Sequence, residues 1–182
     1  MQAPEVAQER LWEIELLLAA EHRELRFFIE ELKPAPLGII GGDSNLDAAL
    51  GGLAERIDRH WGLGVELKTD RLGEARIPGD LAKEIYHIVR EALVNVVRHA
   101  SASKVRADVG ADGGQVRVSV VDDGRGFPFQ GHYDHAALTE LNLGPVSLRE
   151  RIASLGGTLA IKSAETGTCL QITLPFVRPE GR

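Results

Sequence analysis

Leu11, Ile14, Leu18, Leu25, Phe28 and Leu32 recur at spacings of 3, 4, 7, 3 and 4, the a and d positions of a heptad. Glu21 breaks the d row once. The pattern predicts one long helix from about Glu5 to Lys33, with an apolar stripe of roughly six turns. A lone helix cannot bury such a stripe, so it needs a partner, its own domain or a second chain. An interchain bundle is the expectation, because the globular pattern begins only after Pro34 and Pro36, which stop the helix and stiffen the junction. Residues 36–45 read as a linker. A short amphipathic helix follows from about Leu46 to His60, with Leu46, Leu50, Leu53 and Ile57 on one face and Gly62 and Gly64 ending it. Val65 to Thr69 alternates as a strand.

Pro78 opens the most regular helix, whose interior face is Leu81, Ile85, Ile88, Val89, Ala92, Leu93, Val96 and Val97. A second stripe of that helix carries Glu84, His87, Glu91, Asn95 and Arg98. Lys104–Val109 and Gln115–Val121 are alternating strands joined through Gly110 to Gly114, where Asp112-Gly113 is a hairpin signal. From Pro128 to Asn142 no period is visible, and this stretch reads as a mobile loop. A helix from about Pro145 to Leu155 is capped by Gly156-Gly157, and Thr158–Ser163 and Thr168–Leu174 form a last hairpin. Residues 178–182 read as a tail.

At 182 residues the chain has room for about one domain and a small extra element. The net charge of −6 argues against a general nucleic-acid binder, which should be basic. Eight Glu against four Lys or Arg place most of that charge in residues 1–34. No stretch approaches the ~20 apolar residues of a membrane helix, and the first nine residues do not resemble a secretory signal. One cysteine, Cys169, forbids an intrachain disulfide and fits a reducing compartment.

Three places can carry chemistry. Glu91 and Asn95 are four apart and share a helix face. They are either a solvated stripe or a hard-cation ligand beside a carboxylate, as a phosphate-bound Mg²⁺ would want. Asp122-Asp123-Gly124-Arg125-Gly126 follows a strand. It is either an acidic turn or a carboxylate for an exocyclic amine, with glycines that admit a ligand. Gly144 precedes a helix start: it is either an ordinary glycine before a helix or a place where free backbone N–H groups meet a phosphate.

In order, these elements read E-x-x-x-N on a helix, a hairpin, D-x-G-x-G, a loop, glycine at a helix start, and a hairpin with Gly167-Thr168. This order resembles the Bergerat-fold ATP-binding domain of the GHKL group, which comprises histidine kinases, DNA gyrase, a class of heat-shock chaperones and MutL. The resemblance covers about Leu46 to Pro175. Ile88-Val-Arg-Glu-Ala-Leu-Val-Asn-Val-Val-Arg-His-Ala100 and Leu148-Arg-Glu-Arg-Ile-Ala-Ser-Leu-Gly-Gly157 are most similar to histidine kinases of the NarL/DesK type. The helix ending Glu24-Leu-Arg-Phe-Phe-Ile-Glu-Glu-Leu-Lys-Pro34 is similar to the second helix of their dimerisation domain.

The resemblance implies an α+β fold: a two-layer sandwich of a mixed sheet backed by helices, preceded by one long helix. Residues 1–35 would be the second helix of a dimerisation and histidine-phosphotransfer domain, 36–45 a linker, and 46–177 the catalytic domain. ATP and Mg²⁺ are the implied ligands. Asn95 would hold Mg²⁺ and Glu91 would orient a water or a Mg²⁺ ligand. Arg98 and His99 would reach the phosphates. Asp122 would accept the adenine amino group, Gly124 and Gly126 would admit the purine, and Thr168 would close the adenine side. Asp123, at the variable position, would be solvated. Pro128 to Leu143 would be the ATP lid, and Gly144, with Ser147 and Leu148 behind it, would meet the phosphates.

Two departures stand out. The family's G-x-G-L-x-G-M has Asn142 at its first glycine, Pro145 after its second and Ser147 at its third, which predicts a weaker or reshaped phosphate grip. The family's phosphoacceptor His, followed by an acidic base, matches none of His22, His60, His87, His99, His132 and His135, so the acceptor is expected on a dimerisation helix missing from this chain. The expected function is transfer of the γ-phosphate of ATP to that histidine and on to a response regulator, in a homodimer. The location would be the cytoplasmic portion of a sensor. The alternatives are a degenerate nucleotide-binding scaffold and an anti-sigma-type GHKL serine kinase.

Overall fold

A computed structural model describes residues 10–12, 14, 15, 18, 25, 29, 46–70, 72, 75 and 77–176. The chain divides into two compact units, Met1–Pro34 and Ala35–Arg182. In the first unit the described residues are helical, and Leu11, Ile14, Leu18 and Leu25 of the stripe are exposed. Glu21, His22, Phe28, Leu32, the prolines at 34 and 36, the 36–45 linker and the 178–182 tail lie outside the described residues.

The second unit runs α1 (Leu46–Trp61), β1 (Gly64–Asp70), α2 (Gly79–Asn95), a π-helical turn (Val96–Ala100), β2 (Lys104–Asp112), β3 (Gln115–Asp122), β4 (Gly131–Tyr133), α3 (His135–Glu140), α4 (Val146–Ser154), β5 (Thr158–Ala164) and β6 (Gly167–Pro175). The six strands form one sheet in the order β1-β2-β3-β6-β5-β4. β1 and β2 are parallel and every other neighbour is antiparallel. A parallel pair needs a crossover, and α2 supplies it.

Alternation decides which way the sheet faces. On β2 and β3 every second residue is buried, including Val105, Ala107 and Val109 and their neighbours Val116, Val118 and Val120. Their intervening residues are polar and outward, so helices cover one face and solvent the other. Leu50, Leu53 and Ile57 of α1, Ile85, Ile88 and Ala92 of α2, and Leu148 and Ile152 of α4 close the core. Each large side chain buried there contributes about 1.5–3 kcal/mol. Leu81, expected inside, is half-buried, whereas Tyr86 is buried and its hydroxyl accepts from Arg56 Nη2 at 2.9 Å.

Three boundaries differ from expectation. The β2–β3 hairpin is longer than the residue pattern suggests. Asp112 pairs Gln115 across a two-residue Gly113-Gly114 turn with positive φ at both, the twist that hairpins favour. The helix from Gly79 ends in a π turn, which the Val96-Val97 pair concealed because both fit the α-helical period. The stretch from Pro128 to Leu143 is not a structureless loop. Gly131–Tyr133 pairs with β5 as an edge strand, and Asp134 caps α3 by accepting from Ala137 N at 2.9 Å. Leu138 of that short helix is fully buried.

Candidate functional site

The C-terminal ends of α2 and β3, the residues after β3, the start of α4 and the start of β6 enclose one cavity of about 930 Å³. That volume lies at the upper end for small-molecule sites. Asn95, His99, Asp122, Gly126, Gly144, Ser147 and Thr168 all line it. Residues as far apart in sequence as Asn95 and Thr168 thus face one space.

Asn95 ends α2, and its Nδ2 is buried with no hydrogen-bond partner among the described residues. A buried amide without a partner costs about 1–3 kcal/mol. Asn95 also lines the cavity, where its amide oxygen suits a hard cation. The residues present therefore fit a nucleotide carrying its cation. The π turn that follows brings His99 and Ala100 to the wall; such turns often sit at functional sites. Arg98 is exposed and does not line the cavity.

Asp122 ends β3 at 8% exposure, paired in register with Thr168 of β6. Its Oδ1 accepts from Gly124 N at 2.9 Å. Burial raises its pKa above the usual carboxylate value, and hydrogen bonds from Gly124 and Thr168 oppose that rise. Asp123 points elsewhere and is not merely solvated. It accepts from Ser103 N at 2.8 Å, Ser103 Oγ at 2.6 Å and Lys104 N at 2.9 Å, which holds its pKa below the usual value. It ties the residues before β2 to the end of β3.

Gly124 does not line the cavity either. A Cβ there would run into Ala100 O and lie 2.6 Å from Ala100 Cβ. Arg125 N donates to that same Ala100 O at 2.8 Å. Glycine at 124 lets the turn close on the π turn, whereas Gly126 reaches the wall. Leu148 is a core residue, fully buried and away from the cavity.

Glu91 does not line the cavity itself. It accepts from the Ser147 hydroxyl at 2.5 Å, and Ser147 does line it. Its second oxygen lies 3.7 Å from Arg151 Nε, while Arg151 Nη1 bonds Glu84 Oε2 at 2.8 Å. Nearby His87 has a lowered pKa, first from burial and then from Arg90 and Arg151.

Residue-by-residue reading passed over Arg149. It is 9% exposed and has three acceptors on the preceding segment: Leu138 O at 2.9 Å, Leu143 O at 2.6 Å and Asn142 Oδ1 at 2.8 Å. The R-E-R stretch marked its place without its role. Asn142, in place of a glycine, keeps the left-handed backbone at φ 50°, which asparagine tolerates. Phe127 and Phe129 also line the cavity, their rings stacked at 5.0 Å.

A family model described as "Histidine kinase-, DNA gyrase B-, and HSP90-like ATPase" matches residues 80–178. The chain is 33% identical over 154 residues to "Sensor histidine kinase MctS" of Rhizobium johnstonii, covering 84% of this chain and 32% of that protein. It is 32% identical over 130 residues to "Sensor histidine kinase YxjM" of Bacillus subtilis, covering 71% of this chain and 30% of that one. The chain thus spans about a third of the length of these curated relatives. Among solved structures, the histidine kinase domain of a blue-light activated histidine kinase from Erythrobacter litoralis superposes with a TM-score of 0.58 at 27% identity. That match covers 76% of this chain and 64% of the other.

Proposed function

The chain belongs to the histidine kinase-, DNA gyrase B- and HSP90-like ATPases and carries the ATP-binding catalytic domain of a sensor histidine kinase; on that premise we propose that residues 46–177 bind Mg-ATP in the 930 Å³ cavity and serve phosphoryl transfer to a histidine. The acceptor is a histidine on a dimerisation helix, with an aspartate of a response regulator as the next acceptor. In the first step the histidine nitrogen bonds to the γ-phosphorus, the bridging P–O bond breaks, and ADP leaves. Residues 1–35 act as the second dimerisation helix and 36–45 as the linker, in a homodimer whose catalytic part lies in the cytoplasm.

The observation that carries the reading is the pairing, on one cavity, of an unpartnered buried amide and a buried carboxylate, Asn95 and Asp122. Asp122 accepts the adenine amino group, and Thr168 holds that carboxylate from β6. Asn95 holds the cation. Gly144 and the first turn of α4 receive the phosphates, and His99 lines the same cavity. Bound Mg²⁺ neutralises phosphate charge, which is most of what phosphoryl transfer asks of a domain beyond positioning.

Calorimetric titration with ATP, with and without Mg²⁺, on the full chain and on Asn95→Ala tests this. Saturable, Mg²⁺-dependent binding that Asn95→Ala abolishes is the expected result. A folded wild type that binds no nucleotide would overturn it in favour of a scaffold module.

A further inference from the structure

Ser147 stands at a position the family resemblance assigns to glycine, so its hydroxyl has no counterpart in the ordinary phosphate loop. In this chain it is bonded. It sits in the first turn of α4, lines the cavity, and donates to Glu91 Oε1 at 2.5 Å across the gap to α2. Glu91 precedes Asn95 by one helical turn. The competing pull on the Glu91 carboxylate comes from Arg151 Nε at 3.7 Å, farther along α4 and not on the cavity wall. Arg151 is itself engaged by Glu84 at 2.8 Å. The carboxylate is thus shared between a cavity-side hydroxyl and a cation away from the cavity, and the shorter contact is the hydroxyl.

We infer that Ser147 is a positioning residue that acts through Glu91. Its hydroxyl, on the cavity wall, anchors the Glu91 carboxylate just behind that wall, one turn from Asn95, so that the negative charge nearest the cation of a bound nucleotide is already oriented. Without the hydroxyl, Arg151 draws that carboxylate along α4. The serine replaces the flexibility of a glycine with a fixed link between the helix that carries Asn95 and the helix that receives the phosphates. This inference rests on the Mg-ATP reading above.

The test uses the full chain as wild type, Ser147→Ala, Ser147→Thr, Glu91→Ala and the Ser147→Ala/Glu91→Ala double variant. Calorimetry reads the ratio of ATP affinity with Mg²⁺ to that without it. Thermal unfolding without nucleotide is recorded alongside. A hydrogen bond to a charged group predicts that Ser147→Ala lowers the Mg²⁺ advantage about tenfold. Ser147→Thr, which keeps a hydroxyl, retains most of it. Glu91→Ala lowers it comparably, and the double variant falls little further. The Tm shifts without nucleotide are likewise non-additive, because both substitutions break one bond. A wild type that binds Mg-ATP while Ser147→Ala keeps the full Mg²⁺ advantage overturns this inference alone, as do effects that simply add in the double variant. A folded wild type that binds no Mg-ATP overturns the underlying reading, and this inference with it.

Discussion

Asp122→Asn separates nucleotide recognition from folding, because the two demands on this carboxylate oppose each other. At 8% exposure the charged form is poorly solvated, and its pKa is raised by that burial. A carboxylate raised in this way favours the folded state below its unfolded value, about 4, and loses that contribution as pH rises through the folded value. At pH 7 the buried charge is therefore a cost, and Asn removes it. The amide oxygen still accepts from Gly124 N, now at 2.9 Å from Asp122 Oδ1. Its NH₂ faces the Thr168 donors, of which only the hydroxyl can turn to accept. One lost hydrogen bond, about 0.5–1.5 kcal/mol, is set against relief of the charge, so Tm stays close to wild type. Nucleotide binding has no such compensation. The amino group of adenine needs an acceptor, and losing a bond to a charged group costs about 1.5–3 kcal/mol, or roughly 10- to 150-fold in Kd. Calorimetry with ATP and with inosine triphosphate reads this directly. The wild type prefers ATP, and Asp122→Asn loses the preference because its NH₂ can donate to the inosine carbonyl. An Asp122→Asn protein that binds ATP like the wild type, or weakens both nucleotides equally, refutes the assignment. A pH series adds a check: ATP affinity in the wild type declines on the acid side above the pH at which an ordinary aspartate titrates.

Gly124→Ala drives a Cβ against Ala100 O, with the Ala100 carbonyl carbon at 2.8 Å; overpacking of this kind costs about 1–3 kcal/mol, so Tm falls by several degrees, and an unchanged Tm in thermal unfolding contradicts the packing argument. Asp123→Asn removes a carboxylate whose pKa the Ser103 and Lys104 donors depress. Such a group stabilises the fold above its unfolded value, about 4, and that contribution fades as pH falls through the folded value. Thermal unfolding as a function of pH therefore shows a shallower acid decline in Asp123→Asn than in wild type, and parallel profiles would count against the role given to Asp123.

How much could be read from the residues depended on the length of each element and the distance to its partners. Helices and strands with several periods, such as the helix through Ile85, Ile88 and Ala92 or the strand through Val116, Val118 and Val120, are legible because one face is buried throughout. Gly131–Tyr133 and His135–Glu140 are too short to show a period. Only Asp134 as a cap and Leu138 as an anchor mark them. The three donors of Asp123 lie about twenty positions away, so an exposed acidic residue gave no local sign of its bonds. The juxtaposition of Asn95 with Asp122 and Thr168 follows from strand order, which periodicity does not encode; the motif resemblance supplied it.

The glycine-poor loop before α4 has a different meaning once its neighbours are placed. Asn142 keeps the left-handed backbone of the glycine it replaces, and its side chain is held by Arg149 at 2.8 Å. Pro145 stands at the N-cap of α4, before the first helical turn, where a missing N–H breaks no intrahelical bond. Ser147 spans to Glu91. A loop decaying toward a bare scaffold would show substitutions without partners. Here two of the three changed side chains form a hydrogen bond that glycine cannot make: Asn142 to Arg149 within α4, and Ser147 from the first turn of α4 to Glu91 of α2. Loss of glycine flexibility is thus offset by fixed geometry. A rigid loop binds through sites set in advance and gives up less entropy on meeting its ligand. The same logic assigns Arg149 its place. A buried guanidinium bonded to Leu138 O, Leu143 O and Asn142 Oδ1 fastens the segment that carries α3 to α4 through three acceptors at once.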